Sequence, residues 1–266
     1  MRRVGSLRAA LTALGLLALA FGLRILNVGY VLGAAGVRFP SGRDELYHVR
    51  KIVYQVLRFP ETLDFDRYVS FPFGAKPVWP PFLDWAIAAG VRALGVAGDA
   101  LAVERVIVWW PPLLGAVTVA LLAEIGRRRF SLVAGVVAGL VLAVVPAHHV
   151  HSQLGQVDHQ VVVGFFTVLL LGGAMAWHAA PSAGLAVGVG AVMAAGLVSS
   201  PGALLPILPV QAATGLWVLA APGREVASAR ARTAALAHAA AAALVLPACW
   251  LAGGFPDLGL VPVLVG

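Results

Sequence analysis

Apolar residues fall in long blocks along this chain, separated by short polar breaks. Windows of about 17–23 mostly apolar residues recur, the length that crosses roughly 30 Å of hydrocarbon as α-helix. The pattern predicts about seven spans, near 9–28, 105–125, 131–147, 159–178, 184–198, 203–220 and 234–252. A closed barrel, the other structure a bilayer tolerates, needs short alternating strands, whereas these blocks are Leu, Ala, Val and Gly at helical length. The expectation is an all-α polytopic membrane protein, with residues 1–266 forming a single transmembrane domain.

One stretch breaks the pattern. Eight of the twelve acids lie in 29–104: Asp44, Glu45, Glu61, Asp64, Asp66, Asp84, Asp99 and Glu104. This is read as a large first outer loop. Within it GRDELYHVRKIVYQVLRFP carries Leu46, Val49, Val53 and Leu57 at helical spacing, which predicts an amphipathic helix lying on a protein or membrane surface with Asp44 at its start. A Pro-rich segment, FPFGAKPVWPPFLDW, follows. Phe82 to Val96 has the composition of a span but is short and holds Asp84 and Arg92. Treating it as interfacial puts MRR, GRRRF and the Arg224, Arg230 and Arg232 cluster on one side, as the positive-inside rule prefers. The N-terminus is then cytoplasmic, and 29–104 and the second outer loop, 148–158, share the outer face.

Composition adds to this. Of the 266 residues 60% are hydrophobic and 12% charged, with a mean hydropathy of +0.90, outside the range of soluble domains. The net charge of +7 is read as loop bias that orients the spans rather than as a nucleic-acid footprint, so no nucleic-acid partner is expected. The basic N-terminus leads into its apolar run without an A-x-A cleavage pattern and is read as a retained first span. Arg24, near the end of that span, is expected to snorkel to the interface. The lone Cys249 is read as packing.

Two acids stand where helices begin. Asp44 in RDELYHVR and Asp158 in GQVDHQ each have a plain reading as helix caps. Together, on loops that share one face, two carboxylates can hold a hard divalent cation against a phosphate. An acid at the membrane edge is costly unless it is paired or metal-bound. His148, His149 and His151 are read as solvated loop histidines rather than a zinc site. Trp79, Trp85, Trp109 and Trp110 are assigned to an interfacial belt, Pro111 and Pro112 to a helix start or kink, and His178 and His238 to packing.

The order of these features resembles the N-terminal part of the catalytic subunit of oligosaccharyltransferases, the Stt3 type, over roughly residues 5–180. The resemblance rests on a D-x-x-Y-H-x-R-like pattern, here Asp44, Tyr47, His48 and Arg50, then on Pro72, Gly74, Trp79, Pro80 and Pro81, and then on Gly155 and Asp158 in a G-x-x-D-x-(acid or His) motif. It implies a GT-C-like scaffold that transfers a polyprenyl- or dolichyl-pyrophosphate-linked oligosaccharide to Asn of an acceptor protein or peptide, at the outer face of the cell membrane. It implies Mg²⁺ or Mn²⁺ as cofactor, with Asp44 and Asp158 as catalytic, metal-binding carboxylates and Gln160 as third ligand. Tyr47, His48, Arg50 and His159 become substrate-binding residues, and membrane lipids surround the spans.

The chain departs from the pattern at Gln160, where an acid or His is usual; a neutral carbonyl oxygen should hold the ion less tightly. The family's later catalytic glutamate and its C-terminal soluble domain with a W-W-D-x-G motif are absent before Gly266. The expectation is a truncated, split or degenerate member, or one completed by a second polypeptide. Two alternatives stay open: a polyprenyl-phosphate-sugar-dependent monosaccharide transferase, and an inactive module that binds a lipid carrier or partner.

Overall fold

The computed structural model of the chain describes residues 2–40, 44–77 and 79–251. These are mostly helical. In chain order the helices are α1 (Arg2–Arg24), α2 (Val28–Val31), α3 (Asp44–Arg58), α4 (Phe82–Ala93), α5 (Ala100–Ile107), α6 (Trp110–Arg129), α7 (Leu132–Val144), α8 (Pro146–Val150), α9 (Gln160–Ala179), α10 (Ala183–Ser199), α11 (Leu204–Leu219) and α12 (Arg224–Leu251). A two-residue hairpin, β1 (Leu32–Gly33) against β2 (Gly36–Val37), follows α2. Among the described residues four helical tracts are long and apolar enough to cross a membrane: Ala100–Arg129, Gln160–Ala179, Pro201–Leu219 and Arg224–Cys249. The helices α7 and α10 are apolar but shorter.

Helix ends follow local chemistry. Asp99 starts α5 by accepting from the backbone N–H of Leu101 and Ala102, and Ser131 and Ser182 start α7 and α10 in the same way. Pro111 and Pro112 occupy the first turn of α6, where a missing N–H costs nothing.

The described residues gather into two compact units, residues 1–62 with 84–165, and residues 63–83 with 166–266. In the first, α1, α6 and α7 pack through Leu16, Ala20, Ala116, Val119, Ala123 and Ala143. Glycines let these helices meet closely: a Cβ on Gly126 would lie 2.9 Å from the Gly135 Cα. A second cluster joins α3, α4 and α5 through Val49, Ile52, Val56, Ala88, Val91, Val103 and Ile107, and takes in Val157. In the second unit Leu170 and Trp177 of α9, Val189 and Met193 of α10 and Ala237 of α12 share one cluster, with Gly190 against the backbone of Ala237. Alanines of 234–243 thus form a small-residue helix interface, and Cys249 is buried with a free thiol.

The structure corrects two expectations. Residues Asp44–Arg58 are helical, but the buried side is Glu45, His48, Val49, Lys51, Ile52, Gln55 and Val56, while Leu46 and Leu57 are exposed. The buried side is mixed: Val49, Ile52 and Val56 pack in the core, and His48 and Lys51 are buried beside them because they meet Asp84 there. Arg24 does not snorkel. It is fully buried, and its guanidinium donates to Ser152 Oγ (2.7 Å), to the Ala20 carbonyl (2.8 Å) and to His148 Nδ1 (2.7 Å). These acceptors replace the headgroup water a snorkelling side chain would seek.

Candidate functional site: a buried carboxylate and imidazole cluster

Helical spacing puts Asp44, His48, Lys51 and Gln55 on one side of α3, successive members one turn apart. Asp44 is exposed in the first turn; His48, Lys51 and Gln55 are buried. Asp84 comes from the first turn of α4, just after the Pro80–Pro81 pair. Its Oδ1 lies 2.8 Å from His48 Nδ1 and its Oδ2 lies 2.7 Å from Lys51 Nζ. All three side chains are at most 2% exposed. Burial alone would raise the Asp84 pKa, but the charges of His48 and Lys51 and their hydrogen bonds outweigh it and hold the carboxyl below its usual range. An ionised carboxylate can only accept, so His48 Nδ1 carries a proton and donates to it, and Nε2 faces away from Asp84.

What Nε2 faces is supplied by segment 152–159. Leu154 N–H donates to the Arg24 carbonyl (2.8 Å), Asn27 Nδ2 donates to the Leu154 carbonyl (2.9 Å), and Gly155 N–H donates to the Val108 carbonyl (3.2 Å). Gly155 has φ +83, which disfavours other residues, and a Cβ there would crowd Pro40 and Val31 at 3.1 Å. So anchored, the segment delivers Asp158 and His159 just ahead of α9, both buried. His48 Nε2 lies 3.4 Å from His159 Nδ1 and 3.8 Å from Asp158 Oδ1, and those two atoms lie 2.6 Å apart. Asp158 Oδ1 also accepts from the His159 backbone N–H at 2.6 Å. Burial alone would raise the Asp158 carboxyl; the His159 hydrogen bond and the charges of His159 and His48 outweigh it, so Asp158 stays ionised below the ordinary carboxylate range.

His48, Asp158 and His159 each offer one ligand atom, all within 4.8 Å of one another, and this is the one such group of three among the described residues. An anionic oxygen with two imidazole nitrogens suits a divalent ion. Gln160 opens α9, and its Oε1 is buried without a hydrogen-bond donor among the described residues. That orphaned acceptor is where a cation or a substrate N–H would be favourable.

Of the residues expected from sequence, the structure brings His48, Asp158 and His159 together. Asp44 stands outside the trio, one helical turn before His48. Tyr47 sets its ring edge-on to His48, centroids 5.4 Å apart, and Lys51 Nζ lies 5.0 Å over that ring. Arg50 is half-buried and, two residues on, faces away from His48. Sequence reading missed Asp84 and Lys51. The available signal was an acid inside an apolar helix, which counts as a candidate in its own right. His148, His149 and His151 form no metal-ligating group among the described residues.

Fold and site together define a helical membrane protein with an anionic, imidazole-rich cluster where a polar segment enters an apolar helix. Residues 13–179 match the family model described as oligosaccharyl transferase STT3, N-terminal, and the chain belongs to that family. It is 32% identical over 137 residues to the dolichyl-monophosphooligosaccharide–protein glycotransferase AglB of Haloferax volcanii, covering 49% of this chain and 13% of that protein. It is 28% identical over 163 residues to dolichyl-phosphooligosaccharide-protein glycotransferase 1 of Archaeoglobus fulgidus, covering 55% of this chain and 26% of that one. The fold matches the Archaeoglobus fulgidus oligosaccharyltransferase crystallised in the apo form, with a TM-score of 0.80 at 22% identity over 94% of this chain and 30% of that chain. The same enzyme has been solved with Zn and sulfate (TM-score 0.79, 22% identity, covering 93% of this chain and 32% of that one). The archaeal enzyme AglB of that organism has been solved with an inhibitory peptide and a dolichol-phosphate (TM-score 0.78, 21% identity, covering 90% of this chain and 29% of that one). The chain spans less than a third of the length of each of these relatives.

Proposed function

We propose that this chain forms the lipid-donor side of an oligosaccharyltransferase-like glycosyltransferase. It would transfer an oligosaccharide from a dolichyl- or polyprenyl-phosphate carrier to Asn of an acceptor protein, the site lying on the outer face of the membrane. The observation that carries this reading is family membership together with a buried, ionised Asp158 placed at the head of an apolar helix. On this reading the spans number seven, the N-terminus is cytoplasmic and the scaffold is GT-C-like. A second polypeptide or further chain would supply the acceptor-side elements.

The residues present fit a divalent cation. Asp158 would be the anionic ligand and Gln160 offers its orphaned carbonyl oxygen, with Asp44, at the exposed start of α3, as a second carboxylate. Mg²⁺ or Mn²⁺ held there would supply Lewis-acid stabilisation of the charge that develops on the departing lipid phosphate. The protein's own part is to keep Asp158 ionised, fix its loop through Arg24, Asn27 and Val108, and exclude water from the cluster. Asp44 lies outside the buried trio and so has freedom to meet the acceptor.

Donor chemistry has two readings. The family resemblance suggests a lipid pyrophosphate, whereas the relatives are named for monophospho- and phospho-oligosaccharide donors, which favours one phosphate. The test measures Mn²⁺ affinity and binding of dolichyl-phosphate- and dolichyl-pyrophosphate-linked disaccharides to the wild-type chain and to Asp44→Ala and Asp158→Ala. Loss of ion-dependent donor binding in both variants is expected. Unchanged binding in both sinks the proposal, and the preferred donor decides the phosphate count.

A further inference from the structure

We infer that His48, oriented by Asp84, is a nitrogen ligand of the cation proposed above, so that two imidazoles, His48 and His159, join the oxygen ligands in a centre selecting Mn²⁺, Co²⁺ or Zn²⁺ over Mg²⁺. This rests on the divalent-cation reading of Asp158.

Geometry carries the argument. Asp84 Oδ1 accepts from His48 Nδ1 at 2.8 Å, so that in the neutral ring the lone pair is on Nε2. That lone pair faces His159 Nδ1 at 3.4 Å and Asp158 Oδ1 at 3.8 Å. The three atoms surround one volume, and once the proton between His159 Nδ1 and Asp158 Oδ1 is released all three can offer lone pairs to a divalent ion placed there. The spacing of Nε2 from the other two is close to the ~3.0–3.4 Å edges that metal–ligand bonds of about 2.1 Å produce. The 2.6 Å between His159 Nδ1 and Asp158 Oδ1 is a hydrogen-bond length, so an entering ion would displace the proton held there.

A purely structural ion pair gives a poorer account of the same atoms. Lys51 and Asp84 already satisfy one another's charge. Adding His48 to the same carboxylate, with its second nitrogen turned toward another acid, serves the arrangement in which a carboxylate fixes the tautomer and direction of a ligating imidazole. Lys51 acts one step further back, pinning Oδ2 so that Oδ1 stays on the ring. With His48 and Asp84 at most 2% exposed, no bulk water competes for Nδ1. Imidazole nitrogen suits Mn²⁺, Co²⁺ and Zn²⁺, whereas Mg²⁺ takes oxygen and retains waters.

The test uses the full chain in lipid nanodiscs loaded with Mn²⁺ and read by pulsed electron paramagnetic resonance, with ¹⁴N- or ¹⁵N-histidine labelling to count directly bound imidazoles. Wild type is expected to show two. His48→Ala should show one and bind Mn²⁺ about 10- to 100-fold more weakly. Asp84→Asn, whose amide can donate to Nδ1 and force the wrong tautomer, should also show one while keeping wild-type helical circular dichroism. Should Asp84→Asn fail to fold, His48→Ala decides. Two imidazoles retained in His48→Ala, or Mg²⁺ displacing Mn²⁺ at equal concentration, overturns the inference. Mn²⁺ held by oxygen ligands alone in wild type overturns this inference and leaves the cation reading intact; no Mn²⁺ bound at all overturns both.

Discussion

Arg24 and His148 meet 2.7 Å apart, guanidinium nitrogen to imidazole Nδ1, although 124 residues separate them in sequence. The contact joins the end of α1 to the start of the segment that carries Asp158. It forces His148 to be a neutral acceptor, since a protonated ring would have no lone pair for Arg24.

That requirement makes the segment acid-sensitive. Burial first, and then the Arg24 charge, push the His148 pKa down to about 4. The unfolded ring protonates near its ordinary value of 6.5, so the unfolded chain takes up the extra proton as pH falls from about 6.5 toward 4. Stability should be level above pH 7 and decline through that window. Thermal unfolding in detergent at stepped pH checks it. His148→Gln, which keeps an acceptor for Arg24 without a titrating ring, should flatten the decline.

Close packing beside Arg24 gives a second expectation. A Cβ on Gly115 of α6 would lie 2.5 Å from Ser152 Cβ and 2.6 Å from Arg24 Nε. Gly115→Ala should cost about 1–3 kcal/mol through overpacking. Gly15→Ala on α1, with nothing within 4 Å of the added methyl, should leave the unfolding midpoint unchanged or slightly raised. Equal midpoints for the two variants would show that the segment yields freely.

The Lys51–Asp84 pair is expected to behave as a coupled unit. Lys51→Met leaves the buried Asp84 carboxylate with His48 but without its cation, and Asp84→Asn takes the anion from the buried Lys51, each costing up to about 3–5 kcal/mol. The double variant should cost clearly less than the sum of the singles. Additive losses in a double-mutant cycle would mean that the two charges do not interact.

Gln160 offers the most direct adjustment of the site. Its Oε1 is buried and has no donor among the described residues. Gln160→Glu places an anionic oxygen there and should tighten Mn²⁺ binding by at least about tenfold, because cation affinity follows ligand charge. Calorimetric titration would detect this. Unaltered affinity removes Gln160 from the ligand set.

Membrane character and family were legible because apolar block length and motif order are local properties of the sequence. The helix Asp44–Arg58 was legible too, but its orientation was not. Reading Leu46, Val49, Val53 and Leu57 as the buried stripe assumes that charges face water, and here His48 and Lys51 are buried because Asp84 receives them. Arg24 was misread for a related reason: snorkelling is the right expectation for an isolated cation, and its acceptors Ser152 and His148 lie far along the chain. Asp158 and His159 stood out by position. Asp84 did not, since its meaning is a contact between α3 and α4 that no spacing rule encodes.

The Lys51–Asp84–His48 set also bears on how the protein is made. All three groups come from one stretch of 48–84, whereas Asp158 is synthesised after α6 and α7. At about 5–20 residues per second, the earlier charges are complete and mutually neutralised some seconds before the second carboxylate leaves the ribosome. Biogenesis therefore never has to shelter a bare Asp84 or Lys51 at the membrane surface while it waits for the rest of the site to arrive.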